Sequence, residues 1–135
     1  MLEKIDHIGI AVRDWEQALA RYSTLTSAPP QHIEEVPAQK VKVAMFEVGD
    51  SRVELLLPTA PDSPIAKFLE KRGEGMHHIC FKVPNLDEAL RGLQAAGMEV
   101  LPGAGGPGAG NSRVAFLHPK SAAGVLIELV EQDAS

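Results

Sequence analysis

Two histidines and two glutamates are the residues of this chain that could do chemistry together. His7 heads "HIGIAV" and His78 heads "HICFKV", while Glu54 interrupts "VELLL" and Glu128 interrupts "LIELV". A carboxylate inside an apolar run is costly unless it is paired or bound to a metal, and neutral imidazole and carboxylate both ligate borderline divalent cations. Side chains alternate faces along a strand. Ile8, Ile10 and Val12 form one apolar face, which puts His7 on the other; Ile79, Phe81 and Val83 do the same for His78. Two imidazoles and two carboxylates meeting at one point would suit Zn, Co, Ni, Mn or Fe and leave positions open for a substrate. Singly, each residue has an ordinary explanation, as a hydrogen-bonded strand histidine or a solvated glutamate. As a set they argue for a metal site.

The set repeats along the chain. "IDHIGIAVRDWEQAL" lies over "MHHICFKVPNLDEAL" without a gap, so His7 meets His78 at an offset of 78 − 7 = 71. Each half closes on an apolar strand with one acid, Glu54 and Glu128, at an offset of 128 − 54 = 74. Extra residues in the glycine-rich stretch before the last strands absorb the difference. A duplicated module is the reading, and if its two sheets form one cup, the four residues converge.

The elements that must position them are legible. "KIDHIGIAV" alternates as a strand, and Asp14 caps the helical "WEQALARYSTL". "VKVAMFEV" and "RVELLL" make a hairpin over Gly49-Asp50-Ser51. "DSPIAKFLEKRG" is a helix with Ser63 as its cap, Pro64 at its first position and Gly73 past its end. The chain divides into module one at about 1–58, a connecting helix at about 62–73 and module two at about 75–131, within a single domain over 1–135. In "PGAGGPGAGNS", Gly103, Gly105 and Gly108 formally fit a dinucleotide fingerprint, but Pro107 and the strand "RVAFLH" follow where a helix is required. A flexible loop is the better reading.

Composition narrows the partners. A formal net charge of −5 argues against nucleic acid or an anionic membrane as the main partner. Cys80 is the single cysteine, so neither an intrachain disulfide nor a cysteine-rich zinc cluster can form. The N-terminus lacks the layout of a signal peptide, and no run approaches the roughly 18 apolar residues of a membrane span. A soluble, cytoplasmic protein is expected.

The longer motifs resemble a known family. "IDHIGIAV", "VKVAMFEVGDSRVELLLP", "SPIAKFLEKRGEGMHHICFKV" and "FLHPKSAAGVLIELV" are similar to the vicinal oxygen chelate (glyoxalase/bleomycin resistance/dioxygenase) superfamily, and within it to the methylmalonyl-CoA epimerases. "GEGMHHICF" and "HPK" followed by "GVLIEL" are the specific parts. The resemblance implies an α+β fold of two tandem βαβββ modules, their sheets forming a cup around a metal site. It implies His7, Glu54, His78 and Glu128 as ligands, a divalent ion with cobalt favoured, an acyl-CoA substrate and a homodimer. The implied reaction interconverts (R)- and (S)-methylmalonyl-CoA by α-proton abstraction and reprotonation through a metal-stabilised enolate, with Glu128 and Glu54 as acid/base candidates. Some members carry glutamine where Glu54 stands, and some carry a proposed catalytic glutamate where this chain has Val43. Valine cannot move a proton, and Glu47, opposite Arg52 near the turn, is expected in a cross-strand ion pair. The rival readings are a glyoxalase I-like lactoylglutathione lyase, a metal-free small-molecule-binding module of the same fold and a fold-only interaction protein.

Other residues are expected to be ordinary. Trp15 and Tyr22 pack, Cys80 is a small buried hydrophobe, and His32 is a surface loop residue. His77 shares the parity of the helix-facing set and is expected to be structural. His118 in "HPK" is a candidate substrate contact, with Lys120 available for a CoA phosphate.

Overall fold

The computed structural model describes residues 1–132. In chain order these residues form β1 (Lys4–Ala11), α1 (Trp15–Thr26), β2 (His32–Val36), β3 (Val41–Val48), β4 (Ser51–Pro58), α2 (Pro64–Arg72), β5 (Gly75–Lys82), α3 (Leu86–Ala95), β6 (Gly106–Pro107), β7 (Ser112–Leu117) and β8 (Ile127–Gln132). The architecture is mixed α+β, as the family resemblance implies. Two compact units emerge: His7–His77, and Met1–Asp6 joined with the chain from His78 onward.

In the first unit the strand order is β2-β3-β4-β1. β3 and β4 form the expected hairpin, with Val48 paired to Ser51 across Gly49 and Asp50. Gly49 has φ 59°, a conformation glycine adopts without a side-chain clash. β1 returns parallel to β4 after α1, which starts where Asp14 accepts from the Gln17 amide. α1 buries Ala18, with Trp15, Leu19 and Tyr22, against Val12, Ala44, Phe46 and Leu55. Tyr22 packs its ring on Phe46, and Lys42 lies over the Trp15 ring. Both aromatic residues therefore pack, as expected. α2 begins at Pro64, with the Ser63 hydroxyl accepting from the Ile65 amide.

β2 is a correction to the loop expected around His32. His32–Val36 pairs antiparallel with β3, and His32 opens it with Nε2 2.9 Å from Glu34 Oε1. "HIEEV" lacks an apolar alternation because it lies at the end of the unit's strand order, paired to β3 on one side. Most of its residues remain exposed, so polar side chains are tolerated on both faces.

In the second unit the order is β5-β8-β7-β6. β5 and β8 are parallel, and β7 and β8 antiparallel. α3, capped by Asn85, buries Leu86 and Ala89 against Val83, Ala115 and Leu129. The glycine-rich stretch turns into the two-residue β6 and pairs with β7, not with a helix, so the dinucleotide reading stays excluded. Gly108 packs so tightly that an added Cβ would lie 2.6 Å from the Ser112 hydroxyl and from Val114.

Among the described residues no helix is long and apolar enough to cross a membrane.

Candidate functional site

In the first unit the parallel register of β1 and β4 sets His7 beside Arg52 and Gly9 beside Glu54. The antiparallel register of β3 and β4 sets Met45 on the other side of Glu54. Gly9 has no side chain, and the His7 ring reaches past it: Nδ1 lies 3.2 Å from Glu54 Oε2. Both residues are buried, His7 at 6% and Glu54 at 3% exposure. Arg52, two residues before Glu54 and therefore on the same face, directs Nε and Nη2 to the same Oε2 at 3.3 and 3.1 Å.

The second unit repeats the arrangement. Cys80 stands beside Glu128 in the parallel β5–β8 pair, and Phe116 flanks Glu128 from β7. His78 precedes Cys80 by two residues, as His7 precedes Gly9. His78 Nε2 lies 2.9 Å from Glu128 Oε1, with both side chains buried. The Phe116 ring meets His78 edge-on, centroids 6.0 Å apart. Cys80 is fully buried beside Val114 and Val130, the small hydrophobe expected.

The two separations, 3.2 Å in the first unit and 2.9 Å in the second, are direct imidazole–carboxylate contacts. Buried imidazole and carboxylate are also the donor types that borderline divalent ions take. The structure thus joins His7 to Glu54 and His78 to Glu128, each pair within its own unit.

The remaining candidates fall elsewhere. His77 packs edge-on against Phe68 of α2 at 5.0 Å between ring centroids, the helix-facing side expected of it. His118 is engaged locally: Nδ1 accepts from the Lys120 amide at 3.0 Å and caps the short turn Pro119–Ala122. Val43 is buried in β3. Glu47 stands opposite Arg52 in register, but Arg52 engages Glu54 instead, correcting the expected cross-strand pair. The reason is solvation: Glu47 is exposed, whereas buried Glu54 gains more from a cation. That engagement escaped sequence reasoning, although the R-x-E spacing on one strand face was its signal.

The comparisons agree with this architecture. Residues 6–116 match the model of the Glyoxalase/Bleomycin resistance protein/Dioxygenase superfamily. An ethylmalonyl-CoA/methylmalonyl-CoA epimerase of Cereibacter sphaeroides is 40% identical over 132 residues, covering 96% of this chain and 98% of that protein. The crystal structure of methylmalonyl-CoA epimerase from Mycobacterium tuberculosis superposes with a TM-score of 0.92 at 36% identity, covering 98% of this chain and 89% of that one. A methylmalonyl-CoA epimerase solved in complex with methylmalonyl-CoA and NH4+ gives a TM-score of 0.91 at 38% identity, covering 99% and 97%. With a family model spanning most of its length and near-full-length relatives at this identity, the chain belongs to the Glyoxalase/Bleomycin resistance protein/Dioxygenase superfamily and, within it, to the family of the methylmalonyl-CoA epimerases.

Proposed function

We propose that this chain interconverts (R)- and (S)-methylmalonyl-CoA, and that His7, Glu54, His78 and Glu128 together hold one divalent cation. The observation that carries the reading is the buried His–Glu pair, repeated at the same strand register in both units of a chain of this family. Those four residues would hold the cation, which would supply Lewis-acid polarisation of the substrate.

The protein's own residues do the rest. His7 and His78 hold the site from β1 and β5, with their apolar strand faces packed away from it. Glu128 takes the proton from one face of the α-carbon, and Glu54 delivers a proton to the opposite face. Val43 contributes no proton transfer. Burial withdraws all four side chains from bulk water. Cobalt is the cation we favour, a cytoplasmic homodimer the form, and exposed Lys120 a contact for a CoA phosphate. His118, engaged in its local cap, steadies the turn that carries Lys120.

The test is solvent deuterium uptake at the α-carbon of methylmalonyl-CoA by cobalt-loaded protein, with the glutathione hemithioacetal of methylglyoxal as the competing substrate. Exchange with the first substrate alone is expected. Turnover of the hemithioacetal without exchange overturns the reading in favour of a lyase.

A further inference from the structure

The contacts on Glu54 point beyond the four proposed ligands. Three nitrogens end on one carboxylate oxygen, Oε2: His7 Nδ1 at 3.2 Å, Arg52 Nη2 at 3.1 Å and Arg52 Nε at 3.3 Å. Arg52 brings two donors of a rigid planar group to that one oxygen, which anchors Oε2 in place. Arg52, near the turn end of β4, is itself partly exposed, at 28%, while Glu54 is at 4%. The fold does not demand an arginine there: Leu126 occupies the corresponding position of the second unit, two residues before Glu128.

We infer that Arg52 is a positioning residue for the proposed metal ligand Glu54, anchoring its carboxylate through Oε2. This rests on the metal reading above. The sign of the effect separates the inference from a simpler one. If Arg52 were only a nearby positive charge, its removal would relieve repulsion and tighten cation binding. If it orients the ligand, removal loosens binding, by about 10–100-fold for a group that supports a metal ligand.

The experiment is calorimetric titration of the whole chain with Co2+ alone, on the parent, Arg52→Met, Arg52→Lys, Glu54→Gln and Arg52→Met/Glu54→Gln, with circular dichroism to confirm folding. Arg52→Met is expected to bind Co2+ about 10–100-fold more weakly. Arg52→Lys keeps the charge and loses the fork, so it should recover only part of the loss. In the Glu54→Gln background, Arg52→Met should change affinity by no more than about twofold, because the residue it acts through has been altered. The visible spectrum of bound Co2+ should shift in Arg52→Met, reporting a changed ligand arrangement. Unchanged or tighter binding in Arg52→Met overturns the inference, as does full recovery in Arg52→Lys or an undiminished loss in the double variant. Should Arg52→Met fail to fold, Arg52→Lys against the parent still decides. A parent chain that binds no Co2+ overturns the metal reading itself, a result separate from any loss confined to the Arg52 variants.

Discussion

The two His–Glu pairs share a register and differ in what surrounds them. In each, the histidine lies two residues before the strand position that faces the glutamate: Gly9 faces Glu54 and Cys80 faces Glu128. Around that shared frame the neighbours diverge. Met45 flanks Glu54 where Phe116 flanks Glu128, and Arg52 precedes Glu54 where Leu126 precedes Glu128. The ring atoms differ too, Nδ1 toward Glu54 and Nε2 toward Glu128. The repeat thus keeps the histidine, the glutamate and the strand register, while the surroundings differ. Glu54 is clamped by a guanidinium. Glu128 sits beside an aromatic ring, with an apolar residue where the clamp would be. A carboxylate that must move to meet a proton is better placed in the second setting.

The largest effects should come from the histidines, where the units are most alike. His7→Ala and His78→Ala are each expected to abolish stoichiometric Co2+ binding and α-carbon exchange while the chain stays folded. His77→Ala, which loses only its edge contact with Phe68, should keep the ion. Elemental analysis with circular dichroism reads this directly, and an empty His77→Ala beside an occupied His78→Ala would displace the strand parity by one residue.

The glutamates should separate the units. Glu128→Gln keeps an oxygen donor but cannot accept a proton, so exchange should fall by about 10²–10⁴-fold, the range of general acid–base catalysis. Glu54→Gln should lose less, about 10–100-fold, because glutamine keeps an oxygen donor there and exchange at the face served by Glu128 survives. Equal losses at matched metal occupancy would erase the division of labour drawn above.

The cores offer a comparison without chemistry. Phe46 in the first unit and Leu129 in the second are both buried at the centre of their clusters. Phe46→Ala should destabilise by about 3–5 kcal/mol and Leu129→Ala by about 2–5 kcal/mol, from lost burial plus the cavity left behind. Urea unfolding measures both, and a near-neutral result for either would mean that its unit repacks around the gap.

The smallest effect concerns an exposed ion pair in each unit, Lys40 with Asp62 and Arg113 with Asp87. The hydrogen bond from Lys40 holds the Asp62 carboxyl below its ordinary value of 3.8. A depressed carboxylate contributes stability above its unfolded value, and the contribution disappears as pH falls through the folded one. The Lys40–Asp62 increment should therefore be present at pH 7 and vanish in the acid range below about pH 4. Asp62→Asn and Asp87→Asn should each shift the melting temperature less than any change above, and less still in 1 M salt.

Much of this was legible in the residues, and the exceptions share a cause. The caps at Asp14 and Ser63 act through neighbours within three positions, so local spacing reveals them. The apolar faces of β1 and β5 follow from alternation alone. β2 escaped because its five residues carry two adjacent glutamates and no apolar period; pairing with β3 makes it a strand. His118 invited a role in binding because it lies beside Lys120, yet its ring is used to cap its own turn.

The order of amino acids by itself determined the duplication, the donor types and the face each donor takes, because a period of two and a repeat offset are properties of the string. Tertiary structure decided which partners those donors have. Arg52 had Glu47 opposite it and Glu54 two residues along its own strand face, both within reach in one dimension. Burial settled the choice, since the carboxylate withdrawn from water gains more from a cation than the one left in it. Unequal solvation exists only once the strands have packed.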